Sequence, residues 1–162
     1  MSFANIHLPP SVIVEIYKNC LVEITKKNTK PIQYLGNNAQ KLLVFVSYPG
    51  EVFLPGEQLE FLEKILLACK LNLGDIAIIN VAKQPWKFED YIESLVPKSI
   101  LVFGTDIPIS REYPEMIFFT TVYHQGITLM SAPALEKLNE ENNESKQLKT
   151  RFWHSLKQFF SI

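Results

Sequence analysis

Leu42-Leu43-Val44-Phe45-Val46 runs without a polar break into Ser47-Tyr48-Pro49-Gly50. Five successive apolar residues show no alternation, so both faces of the segment need cover. That is the pattern of a strand in a parallel sheet with helices on either side. Downstream, a helix is expected over residues 56–70. Leu59, Leu62, Ile65, Leu66 and Cys69 form its apolar stripe, and Glu60, Glu63 and Lys64 take the wet side. Gly74 and Asp75 break that pattern, and residues 76–81 read as a second buried strand. Residues 88–95 read as a helix ended by Val96-Pro97, because a proline disfavours helical geometry in the residue before it. Residues 99–103 are a third strand, stopped by Gly104. Strands alternating with helices imply βαβ crossovers and a parallel sheet.

The flanks are read from the same periodicities. Residues 11–24 have helical spacing, with Ser11 placed to cap after Pro9-Pro10. The basic stretch Thr25-Lys26-Lys27-Asn28-Thr29-Lys30-Pro31 is a polar loop, read as a solvated turn or a phosphate contact. Residues 116–121 and 127–130 are strand-like, separated by His124-Gln125-Gly126. Ser131 is expected to cap a short helix through Leu138, and residues 139–146 are expected to be a loop. The last helix carries Leu148, Phe152, Leu156 and Phe159-Phe160 as an amphipathic stripe. The expected architecture is one α/β domain over residues 1–162, a three-layer α/β/α arrangement around a mostly parallel four-stranded sheet. Its parts are an N-terminal helix and basic loop (1–38), an α/β core (39–138) and a C-terminal helix (144–160).

Composition bounds the class. The chain has 162 residues, 47% of them hydrophobic, which excludes a disordered polypeptide. Its 16 Lys+Arg against 17 Asp+Glu give a net charge of −1, which counts against a strongly basic nucleic-acid binder. Two cysteines, Cys20 and Cys69, make neither a metal framework nor a disulfide scaffold, and Cys69 reads as a small core residue. The start of the chain shows no basic, apolar leader, and the apolar runs are far short of the ~18 residues of a membrane span. The expected setting is the cytoplasm, with no membrane, no metal or iron–sulfur cluster and no cofactor.

In sheets of this kind ligands bind beyond the C-terminal strand ends. The cleft residues expected on that rule are Ser47, Tyr48, Pro49, Gly50, Asn80, Lys83, Gly104 and Ser131. His7, His124 and His154 are poorly placed for chemistry.

The run Val44-Phe45-Val46-Ser47-Tyr48-Pro49-Gly50-Glu51, the helix from Gly56 and the strand end Ile78-Ile79-Asn80-Val81-Ala82-Lys83 resemble the uracil-DNA glycosylase superfamily, chiefly its iron–sulfur and related thermophile-type branches. Val96-Pro97-Lys98-Ser99-Ile100-Leu101-Val102-Phe103-Gly104 is similar to that family's proline–lysine, buried strand, glycine segment. The resemblance implies the glycosylase fold. It also implies an acidic residue at position 47 and a histidine at position 131. The chain carries Ser47 and Ser131 there, and it lacks the cluster cysteines. A serine has no charge at pH 7 and cannot stabilise a developing oxocarbenium ion, so no catalytic residue is expected at these degenerate positions. Asn80 matches an asparagine-bearing motif, for base recognition or for satisfying local backbone. The stretch Leu129-Met130-Ser131-Ala132-Pro133-Ala134-Leu135, with Lys146 to Trp153 and Leu156, resembles the tail of the psi subunit of bacterial DNA polymerase III. That family shares the fold, has no activity and bridges other replication subunits.

Three functions follow. The first is a non-catalytic interaction subunit for a replication or repair protein, with Tyr48, Phe53, Trp86 and Trp153 as surface aromatics and weak or no DNA binding. The second is a divergent base-excision enzyme with Asn80 as reader, Tyr48 or Phe53 stacking, and Glu51 or Glu57 as the acid. The third is a DNA-binding module using Lys26, Lys27, Lys30, Lys83 and Lys87.

Overall fold

The structure, a computed structural model, describes residues 31–84 and 86–162. They make up the compact unit Ile32–Ile162. The helix expected over residues 11–24, the loop lysines Lys26, Lys27 and Lys30, and Cys20 and His7 lie outside the described residues.

Five strands form one sheet: β1 (Leu42–Val46), β2 (Ile76–Asn80), β3 (Ser99–Phe103), β4 (Thr121–His124) and β5 (Ile127–Ala132), in the spatial order β2-β1-β3-β5-β4. The first, second, third and fifth strands pair in parallel, and β4 runs antiparallel to β5. The three apolar runs read as buried strands are so. Every residue of β1 and β2 is buried, as the unbroken apolar pattern requires.

The described residues form four α-helices: α1 (Gly56–Ala68), α2 (Phe88–Leu95), α3 (Leu135–Asn139) and α4 (Asn143–Phe160). Side-chain alternation along the strands divides the core in two. Leu42, Val44, Val46, Ile78, Leu101 and Met130 meet Leu62 and Leu66 of α1, Leu135 and Leu138 of α3, and Phe152 and Leu156 of α4. Leu43, Phe45, Ile79, Val102 and Leu129 point the other way, onto Phe88 and Tyr91 of α2 and Ile107 of the following loop. Burying each leucine or phenylalanine contributes about 1.5–3 kcal/mol. Cys69 is buried in the first of these cores, a packing residue whose thiol pKa is raised by burial.

Several boundaries differ from expectation. The sheet has five strands, not four. The addition is the edge strand β4, which forms a hairpin with β5 closed by Gln125 and Gly126, both at positive φ, as in a two-residue primed turn. The strand expected over residues 116–121 does not form, because Phe119 takes a left-handed φ of 65° and Phe118 makes only an isolated bridge to Ser131. Ser131 is not a helix cap. It lies inside β5, opposite Val102, and α3 starts four residues later behind Ala134, which makes no side-chain cap bond. The α4 helix begins within the segment read as a loop, since the Asn142 Oδ1 accepts from the Ser145 N–H at 2.7 Å and nucleates it. The second strand ends at Asn80, and Val81–Lys83 is a single 3₁₀ turn.

The outer edge of β2 is covered by the chain that precedes β1. Leu35 exchanges two 2.9 Å bonds with Ile78, and the Asn38 N–H donates to the Ile76 carbonyl. Gly36, at φ 108°, sits against the Leu73 and Ile76 carbonyls so closely that no β-carbon fits.

Candidate functional site

The order β2-β1-β3-β5-β4 puts the switch in strand order, where successive crossovers turn to opposite sides of β1, between β1 and β3. The C-terminal ends of those strands are where this fold class holds ligands. Four expected residues, Ser47 to Gly50, form the turn after β1, and Gly104 ends β3.

Asn80 dominates this region. It is completely buried at the end of β2, the neighbour of β1. Its Oδ1 accepts from the Tyr48 N–H at 2.9 Å and the Ala82 N–H at 3.3 Å. Its Nδ2 donates to the Tyr48 carbonyl at 2.8 Å and the Glu51 carbonyl at 2.9 Å, with a longer 3.4 Å contact to Val52. An amide has two donor hydrogens and two acceptor lone pairs, and all are engaged by main chain. Asn80 therefore clasps the β1 turn to the end of β2. An asparagine so engaged has no free edge to offer a nucleobase.

Tyr48 is half-buried against the α1-side core. Its hydroxyl donates to the carboxylate of Glu136, in the first turn of α3, and its pKa is raised far above the ordinary phenol value by burial and then by that carboxylate. Glu136 brings an acid to the strand-end region that motif comparison passes over. The signal was positional: it is the first acid after β5, in the turn that follows a parallel strand.

Ser131 is 4% exposed, and its Oγ has no hydrogen-bond partner. Its carbonyl accepts from the Phe119 N–H at 2.9 Å. One strand, β3, separates β5 from β1, and the register sets Ser131 level with Phe45 rather than Ser47, so the two serines do not form a pair. The Gly104 N–H donates to the Ala132 carbonyl at 2.8 Å, and a β-carbon on Gly104 would touch Ala134, so the start of α3 lies against the end of β3. Lys83 is exposed beside the Asn80 clasp, while Pro49 and Gly50 face solvent.

The other sequence candidates disperse. Glu51 contributes only its carbonyl to the clasp, and Glu57 lies exposed in the first turn of α1, where the helix dipole favours an acid. Phe53 packs on the α1-side core and Trp86 on the α2-side core, the two being on opposite faces of the sheet. Lys87 is exposed, and its N–H donates to Asp90 to start α2. The His124 ring meets that of Tyr113 at a tilt of 59°, with centres 4.8 Å apart.

Two cavities lined by described residues lie away from this region. One, of about 340 Å³, is bounded by Glu63, Leu67, Asn72, Leu73 and Gly74. The other, of about 450 Å³, lies between α1 and the end of α3, where Glu57, Glu60, Phe61, Lys64, Asn139 and Glu141 meet. Among the described residues, no group of three or more His, Cys, Asp or Glu is placed to hold a metal ion, and no helix is long and apolar enough to cross a membrane.

Compared with known proteins, the chain matches no family model and no curated protein.

Proposed function

We propose that this chain is a non-catalytic protein-interaction subunit on a uracil-DNA-glycosylase-like scaffold, acting in the cytoplasm beside replication or repair proteins. The observation that carries the reading is the Asn80 clasp, in which a completely buried amide has every donor and acceptor on the main chain of Tyr48, Glu51, Val52 and Ala82. The strand-end asparagine serves folding there. Ser47 and Ser131 support the same reading, since neither side chain carries charge and β3 stands between them. A fold outlasts its chemistry because packing and site are separately encoded.

A second reading is favoured by one observation. Glu136 holds a carboxylate at the end of the sheet, hydrogen-bonded to Tyr48. A divergent base-excising enzyme would use it as the acid. Incubating the purified protein with uracil-containing DNA separates the two. The interaction reading expects no uracil release above the buffer control. Release that is lost in Glu136→Gln, with the variant folded, establishes the enzyme reading instead.

A further inference from the structure

The most unusual charge distribution in the described residues is on α4. It carries Lys146, Lys149, Arg151 and Lys157 against a single acid, Glu144, in a chain of net charge −1. Glu144 is turned to Lys137 at 3.6 Å. Among the described residues, none of the four cations of α4 forms an ion pair.

Three of them stand over aromatic rings instead. The Lys149 Nζ lies 5.6 Å from the Phe61 ring centre, the Lys157 Nζ 5.3 Å from that of Trp153, and the Arg151 guanidinium 4.9 Å from that of Phe119. Ring faces attract cations, and such contacts hold otherwise mobile side chains in place. Lys146, Lys149, Trp153 and Lys157 are spaced three, four and four residues apart. They form one row along about 16 Å of helix. Lys146 and Lys157 are exposed, and Lys149 and Trp153 are half-buried.

We infer that this row is the docking surface for an acidic segment of a partner protein, an inference that rests on the interaction reading above. Charge complementarity selects the occupant. The lysines form no ion pair among the described residues, and the placement of Lys149 and Lys157 over rings lowers the entropy lost when they pair with carboxylates. A nucleic-acid strand fits less well. The ring faces a base would stack on are already covered by ammonium groups.

The test uses the full, ¹⁵N-labelled chain with an oligo-glutamate peptide as probe and oligothymidylate as the competing class. The peptide is expected to shift the amide signals of α4 and the indole N–H of Trp153, leaving that of Trp86 in place, with affinity falling as salt rises. Replacing Lys146, Lys149 and Lys157 by Gln should weaken binding at least about tenfold, a loss of roughly 1.4 kcal/mol. The same change at the exposed Lys41, Lys70 and Lys98 should alter it by less than about twofold, given that distant charges are screened. The inference is overturned if α4 does not respond at low salt, if both triple variants weaken equally, or if oligothymidylate binds the row more tightly than the peptide. Uracil release is read on the same preparations. Its appearance overturns the interaction reading, whereas failure of peptide binding without release overturns the α4 inference alone.

Discussion

Asn80 and Tyr91 show two opposite fates for a buried polar group. Asn80 has a partner for each of its hydrogen-bonding positions, so removing it strands main-chain groups of the β1 turn. Asn80→Ala should cost about 2–4 kcal/mol in a denaturant titration, since each unsatisfied buried group costs about 1–3 kcal/mol. Tyr91 is 1% exposed, and its hydroxyl has no partner. Tyr91→Phe should therefore be neutral or stabilising by up to about 1 kcal/mol. It should also change the alkaline behaviour. Burial, with a smaller push from Asp90, raises the Tyr91 phenol from its ordinary 10.0 to about 12. Below about pH 10 both folded and unfolded chains keep that proton, and it contributes no pH dependence. Between about 10 and 12 the unfolded chain ionises first, so stability falls as pH rises, by at most about 1.4 kcal/mol per pH unit. Chemical denaturation at pH 9 and pH 11 in wild type and Tyr91→Phe measures the difference. The wild type should lose more stability between the two.

The elements differ in how far the sequence specified them. The strands β1, β2 and β3 and the helices α1 and α2 were readable because each is a local pattern: an unbroken apolar run or a single apolar stripe, punctuated by Gly74, Val96-Pro97 and Gly104. The region from 105 to 134 was not, because its structure is decided by tertiary pairing. Phe118-Phe119-Thr120 has strand composition, yet Phe119 is left-handed and its carbonyl accepts from the Ser155 hydroxyl of α4 at 2.9 Å. Ser131 looked like a cap beside Pro133, but β3 offered it a parallel partner first. Val96 at the end of α2 shows a residual conflict. It is β-branched, 67% exposed and left-handed at φ 45°, while its N–H still closes the helix onto the Ile92 carbonyl at 3.0 Å. Val96→Gly should raise stability by about 0.5–1 kcal/mol, because glycine takes this conformation without the β-carbon clash. A thermal melt showing no gain would mean that the backbone there relaxes at no cost.

For the unit Ile32–Ile162 as a whole, the α/β architecture was legible and the site only partly so. Strand-end rules pointed to Tyr48, Asn80 and Gly104, and the structure has Tyr48 just after β1, Asn80 closing β2 and Gly104 just after β3. They did not find Glu136, because its place follows from where β5 ends, and β5 ends two residues later than the local pattern indicates. Nor does a sequence motif distinguish an asparagine that reads a ligand from one that holds a turn; that depends on main-chain carbonyls up to 32 residues away in sequence. The central claim is that the Asn80 amide belongs to the fold. Its most direct test is to follow the Asn80 side-chain NH₂ signals in the ¹⁵N-labelled protein while adding free uracil and then uracil-containing DNA. Both signals should keep their positions and stay protected from solvent exchange throughout. A saturable shift of those signals, with faster exchange, would mean that the clasp opens to receive a base and would contradict it.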